Sequence, residues 1–87
     1  SPDTRAACAG RTVADLGCGR GTLGLSALAA GARRVLFADA SAVAIDFIAR
    51  TIARNALDER AVAVRHAWGA PLPDGPWEVI LGGDILY

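Results

Sequence analysis

The chain has 87 residues, room for one small domain, and 53% of them are hydrophobic, too many for a disordered tail. Nine acidic residues balance nine basic ones, so this segment lacks the basic excess or stripe of a charge-driven nucleic-acid binder. A chain this short buries only about 60–65% of the surface its unfolded form exposes, which makes a core possible but thin.

No run of about 18 apolar residues is present, which excludes a transmembrane helix of the usual kind. Ser1-Pro2-Asp3-Thr4-Arg5 is polar and lacks the apolar stretch of a secretory signal. The sequence contains no Met, so Ser1 is not read as a natural translation start. Cys8 and Cys18 have no metal-ligand spacing, and a reducing cytoplasmic compartment is the expected location.

In chain order, Thr12 to Leu16 is a short, mostly apolar run ending in glycines and predicts a buried strand. Gly17 to Gly21 is a glycine-rich turn. Thr22 to Ala30 is rich in Leu and Ala, with Gly31 as its C-terminal stop, and predicts a helix. Arg34 to Asp39 is a second strand. Ser41 offers an N-cap to a second helix over about Ala42 to Asn55. Ile45, Ile48, Ala49 and Ile52 give that helix one apolar face, and Phe47 off that face predicts burial on more than one side. Ala61 to Arg65 is a third strand. Trp68 to Pro76 holds three prolines and two glycines and reads as a loop. Trp77 to Leu81 is a fourth strand that runs into Gly82-Gly83-Asp84.

Strands alternating with helices predict an α/β fold with a parallel sheet and crossovers. Ligands of such sheets bind beyond the C-terminal strand ends. Four sets of chemistry-bearing residues fall at that edge: Asp15 and Gly17, Asp39, His66 to Gly69, and Asp84 to Tyr87. Of these, His66 is read as structural.

The loop reads Asp15-Leu16-Gly17-Cys18-Gly19-Arg20-Gly21. Gly19 to Gly24 also satisfies G-x-G-x-x-G, but in the wrong register for a dinucleotide site, because the first glycine after the strand is Gly17. A pyrophosphate favours backbone N–H groups without a carboxylate beside them. Asp15 instead suits a cofactor carrying an ammonium and a sulfonium. Asp39, about 20 residues past the loop, is placed to hold ribose hydroxyls of either cofactor type.

Val13 to Gly21 resembles motif I of class I S-adenosylmethionine-dependent methyltransferases, with its acid-x-G-x-G-x-G core. The resemblance implies that Gly17, Cys18, Gly19 and Gly21 pass under the methionine part of the cofactor. It implies that Asp15 helps to hold the amino group and that Asp39 takes the ribose. Downstream, Trp68-Gly69 and Asp84-Ile85-Leu86-Tyr87 look like the D-x-x-Y group, the family 16 lysine methyltransferases, and imply that Trp68 neighbours the adenine. Ala67 stands where relatives often carry an acid, so any adenine contact from that acid is missing. Amino methyltransferases acting on DNA or glutamine carry a D-P-P-Y motif, and this chain lacks both prolines.

Methyl transfer is an in-line displacement, so catalysis is mostly positioning. A lysine acceptor must shed a proton from a group whose free pKa is about 10.4. Asp84 is the candidate to orient the amine or take that proton, and also to contact the cofactor. Tyr87 is the candidate to wall the acceptor channel. Asp84 has a second reading as a helix cap, and Tyr87 as a packing aromatic.

The resemblance implies a Rossmann-like, doubly wound, mostly parallel sheet of which residues 1–87 are the N-terminal, S-adenosylmethionine-binding portion, with strand order 3-2-1-4. The domain is expected to be cut after strand four, so this portion alone should turn over poorly. The expected reaction is N-methylation of a protein lysine. The rivals are a small-molecule methyltransferase, a non-catalytic cofactor-binding relic, and a nicotinamide-dependent dehydrogenase.

Overall fold

The computed structural model describes residues 6–67 and 69–82. Trp68, Asp84 and Tyr87 lie outside the described residues. Six elements follow one another: β1 (Thr12–Leu16), α1 (Thr22–Ala29), β2 (Arg34–Asp39), α2 (Ala42–Arg54), β3 (Ala61–Arg65) and β4 (Val79–Gly82). The four strands form one parallel sheet in the order β3-β2-β1-β4, the arrangement expected of this half of a doubly wound domain. Among the described residues no helix is long and apolar enough to cross a membrane.

Alternation along the strands divides the sheet into two faces. Val13, Val35 and Phe37 point to one face, where Ala27 and Leu28 of α1 and Ile48 and Ile52 of α2 cover them. Ala14, Leu36 and Ala38 point to the other, where Leu72 and Trp77 of the β3–β4 connection pack. Both helices therefore serve one face, and the chain changes face on its way to β4. That change leaves β1 between two parallel strands whose connections cross opposite faces, the point at which strand order reverses and where such sheets bind ligands.

Ser41 caps α2 as expected, its Oγ accepting from Ala44 N at 3.2 Å. Two details of α2 differ from the sequence reading. Phe47 is 50% exposed and Ala49 is exposed as well. The helix rests on the sheet through buried Ile48 and Ile52, with Ile45 half-buried against the same cluster, so its apolar stripe is narrower than the residue pattern suggests. The fourth strand also starts later than expected. Trp77 and Glu78 precede it, held by other partners. The Trp77 indole N–H donates to Pro73 O at 2.9 Å, and the Arg34 guanidinium lies 5.8 Å from the Trp77 ring centroid.

Glu78 is tied to the start of β1. Thr12 N donates to Glu78 Oε1 at 3.0 Å, Glu78 N donates to Thr12 Oγ1 at 3.1 Å, and Thr12 Oγ1 donates to Pro76 O at 3.1 Å. The Thr12 N–H holds the Glu78 carboxyl below the usual carboxylate range.

Arg60 fastens the end of α1. Its Nη2 donates to Leu28 O at 2.9 Å and to Ala32 O at 2.7 Å, 28 or more residues away in sequence. Carbonyls near a helix end lack intrahelical donors, and a cationic donor there is worth about 1.5–3 kcal/mol. Arg60→Met keeps the aliphatic stem and removes the donor. It is expected to lower stability by about 1–2 kcal/mol, read from the urea midpoint. An unchanged midpoint would show that water replaces the guanidinium without loss.

Candidate functional site

The C-terminal ends of β1, β2 and β3 meet at one edge, and among the hollows that the loops leaving them bound, two share Gly17. The first has a volume of about 100 Å³ and is lined by Leu16, Gly17, Ala38, Asp39, Ala40 and His66. The second, about 430 Å³, lies over the glycine loop and is lined by Asp15, Gly17, Cys18, Gly19, Arg20, Thr22 and Leu23. Gly17 borders both. A ligand with two unlike ends can therefore lie across Gly17, one end in each hollow.

Asp39 controls the loop that separates the hollows. Its Oδ2 accepts from Gly19 N at 3.0 Å and its Oδ1 from Ser41 N at 2.8 Å. An ionised carboxylate offers about four lone-pair sites, so acceptor capacity remains for ligand hydroxyls. Cys18 N donates to Ala38 O at 3.1 Å, a second tie between the loop and β2.

Asp15 is 1% exposed. Its Oδ2 accepts from Gly24 N, the third residue of α1, at 3.0 Å. The carboxylate thus caps α1 from the neighbouring strand, where Gly21 at the cap position supplies no side chain. Burial pushes the Asp15 carboxyl up to about 6, against the pull of the Gly24 N–H, and Asp39 adds to the rise. Asp15 therefore serves the fold as well as bordering the hollow, a double duty the sequence alone does not separate.

The loop residues divide in the same way. Gly17 and Gly19 border the hollows, but Gly21 faces inward. Its φ is +80°, and a Cβ there would run into the Ile48 side chain and come within 3.2 Å of Phe37 Cε1. Its need for glycine is set by packing, in addition to any ligand above it. Cys18 is 8% exposed and belongs to the core cluster of the helix-covered face. Burial, with Asp15 and Asp39 nearby, pushes its thiol up to about 12, so it is inert as a nucleophile.

The structure also brings in residues that the sequence reading left without a role. His66 borders the first hollow. Its N–H donates to Asp39 O at 3.0 Å, and its ring Nε2 lies 2.7 Å from Ala70 O. Arg65 steadies Ala40, also on the wall of that hollow, donating from Nε and Nη2 to Ala40 O at 3.2 and 3.0 Å. A single polar residue after a strand has no periodic signature, so only the three-dimensional placement reveals either one. Asp15, Gly17, Cys18, Gly19 and Asp39 do come together at this edge.

Known proteins share this fold. Over 57 residues the chain is 47% identical to the ribosomal protein L11 methyltransferase of Prochlorococcus marinus, covering 66% of this chain and 19% of that protein. Over 75 residues it is 36% identical to the release factor glutamine methyltransferase of Gloeobacter violaceus, covering 85% of this chain and 26% of that protein. The chain thus spans about a quarter or less of these relatives' length. Among solved structures, Arabidopsis thaliana protein arginine methyltransferase 10 superposes with a TM-score of 0.78 at 28% identity, over 91% of this chain and 22% of that one. Adenosylhomocysteine, which S-adenosylmethionine becomes on losing its methyl group, is present in solved structures of the same fold. Residues 3–82 match the methyltransferase small domain, and the chain belongs to that family, whose cofactor is S-adenosylmethionine.

Proposed function

We propose that this chain is the cofactor-binding part of a protein N-methyltransferase. In this reading the adenosyl group lies in the hollow formed by Leu16, Asp39 and His66, and the methionine part lies over the glycine loop. The observation that carries the reading is the pair of hollows meeting at Gly17. An extended ligand with a nucleoside at one end and an amino acid at the other fits that layout.

The roles follow from the chemistry of each end. Asp39 accepts from ribose hydroxyls while keeping its backbone donors. Asp15, at the floor of the larger hollow, balances the ammonium of the methionine part. Arg20, on the rim, faces its carboxylate. When bound, S-adenosylmethionine supplies an electrophilic methyl on a sulfonium. The protein's part is then to hold that methyl in line with the acceptor and to exclude water. Asp84 orients the acceptor nitrogen or takes its proton, and Tyr87 walls the channel that admits it.

The acceptor is read as a protein lysine, on the strength of Asp84-Ile85-Leu86-Tyr87. A glutamine amide is the second reading, favoured by the 36% identity to a release factor glutamine methyltransferase. The two are separated by incubating the full-length protein with labelled cofactor and proteins of its own cell. Mass spectrometry then finds methyl-lysine or methylglutamine.

Cofactor binding is tested by calorimetric titration of the full-length protein with adenosylhomocysteine and, separately, with NAD. Adenosylhomocysteine should bind and NAD should not. Asp39→Ala should weaken binding about 10- to 100-fold, the value of charge-assisted hydrogen bonds to ribose. Binding of NAD alone would overturn the assignment of the cofactor to these hollows.

A further inference from the structure

Arg65 ends β3 beside Asp39, the last residue of β2, and the parallel pairing sets the two in register. His66 N donates to Asp39 O at 3.0 Å across the same edge. The next carbonyl along, that of Ala40, is held by the Arg65 side chain, from Nε at 3.2 Å and from Nη2 at 3.0 Å. Ala40 is exposed, so water is at hand for this oxygen, and an unmet hydrogen bond does not account for the two-pronged contact. The other side of the same peptide group does. Ala40 C=O and Ser41 N–H share one planar trans unit, in which oxygen and hydrogen point in opposite directions. Ser41 N donates to Asp39 Oδ1 at 2.8 Å. A guanidinium that fixes the oxygen therefore fixes the direction of the hydrogen, and with it one oxygen of the Asp39 carboxylate.

We infer that Arg65 is a positioning residue for Asp39, acting through the Ala40–Ser41 peptide rather than on the ligand. This rests on the reading that Asp39 accepts from the ribose hydroxyls. No carboxylate among the described residues lies within ion-pair distance of Arg65, and Arg65 is absent from the walls of the two hollows that share Gly17. Its link to the site is a chain of hydrogen bonds from a cation, through a polarisable amide, to a carboxylate. Each bond in such a chain strengthens the next. On the other oxygen, Asp39 Oδ2 accepts from Gly19 N at 3.0 Å. The carboxylate is thus pinned between the turn after β2 and the glycine loop, and its remaining lone pairs are aimed before a ligand arrives. A carboxylate that must first be ordered binds hydroxyls more weakly, because ordering is then charged to binding.

The test uses the full-length protein, free and with adenosylhomocysteine. Arg65→Met keeps the aliphatic stem and removes both donors. In the free protein, hydrogen exchange at the Ser41 amide should speed up about 5-fold, while amides in the middle of β1 and β2 keep their protection. Adenosylhomocysteine, titrated in the calorimeter, should weaken about 5-fold. In an Asp39→Ala background Arg65→Met should cost nothing further, because no carboxylate is left to position. Arg65→Gln sets an amide N–H where Nε stood and should restore part of both the protection and the affinity. A loss of affinity that persists undiminished in the Asp39→Ala background would show direct contact with the ligand and overturn the inference. So would an unchanged exchange rate at Ser41. Restoration by Arg65→Lys but not by Arg65→Gln would trace the effect to charge alone, with the same consequence. Failure of the parent protein to bind adenosylhomocysteine would strike the reading of Asp39 on which this one rests, while exchange at Ser41 still tests the link from Arg65 to Asp39.

Discussion

Replacing Gly24 by alanine is expected to destabilise the domain by about 2 kcal/mol, although alanine is the better helix former. Gly24 lies inside α1 with no positive φ, so intrinsic propensity alone favours the substitution by about 1 kcal/mol. Packing decides the sign. The new Cβ would overlap Phe37 Cε1 and lie 2.8 and 2.9 Å from Cζ and Cδ1. Phe37 is fully buried in the middle of β2, clustered with Val13, Val35 and Ile48. It cannot swing away, so α1 must lift from the sheet. Overpacking of this kind costs about 1–3 kcal/mol net. The shift in denaturant midpoint at constant slope reads it directly. Adding Phe37→Leu should return part of the loss, because the smaller side chain makes room for the methyl, and the coupling energy of the double-mutant cycle should be negative. A stabilised Gly24→Ala protein would mean that α1 has slack against the sheet.

Asp15→Asn is expected to split stability from binding. The amide oxygen still accepts from Gly24 N, so the cap on α1 survives. The charge, however, disappears. With the folded carboxyl at about 6 and an ordinary value of 3.8, the folded state holds its proton more tightly than the unfolded state. The stabilisation that protonated Asp15 brings is therefore complete below about pH 4 and is lost as pH rises through 6. Water in the adjoining hollow screens the carboxylate, so the loss is about 1–2 kcal/mol rather than the full value of the shift. The asparagine protein should escape it. Its stability relative to the parent should rise by that amount between pH 4 and pH 7. Adenosylhomocysteine binding at pH 7 should meanwhile weaken about 10-fold or more, because no charge balances the ligand ammonium. Paired titrations in urea and in the calorimeter check both halves. If stability and affinity fall together at pH 7, the carboxylate is serving the fold alone. Glu78 has the opposite sign. Its lowered pKa contributes stability that is lost as pH falls through that value, so the comparison with the parent is needed to isolate Asp15.

Much of the fold was legible because its signals are local. β1 and β3 stop just before Gly17 and His66, β2 ends in Asp39, and each apolar run between such stops forms one strand. The cap at Ser41 and the stop at Gly31 are written in single residues. What escaped was decided by distant partners. Trp77 and Glu78 have strand-like composition, yet Pro73, Arg34 and Thr12 hold them outside β4. Phe47 looks like core by residue type, but α2 turns it to solvent because Ile48 and Ile52 already fill the contact with the sheet. In the glycine loop, chemistry and packing want the same residue. Gly17 borders the ligand hollows while Gly21 makes way for Ile48, and no sequence pattern separates the two demands. His66 was passed over because its meaning lies in a hydrogen bond to Ala70 and in the cavity it faces.

The lock between Thr12 and Glu78 sits at the far end of β1 from Gly17, about 17 Å away along the strand. It ties the start of β1 to the residue before β4, at the point where the strand order reverses, yet it shares no partner with the hollows. Substitutions at well-separated sites with no common partner tend to add independently. This end of the domain is therefore a reserve that selection can draw on. Stability lost to a new side chain at the ligand edge can be restored at the base of β1 and β4 without disturbing the cofactor. That separation gives the fold room to change its substrate while keeping its donor.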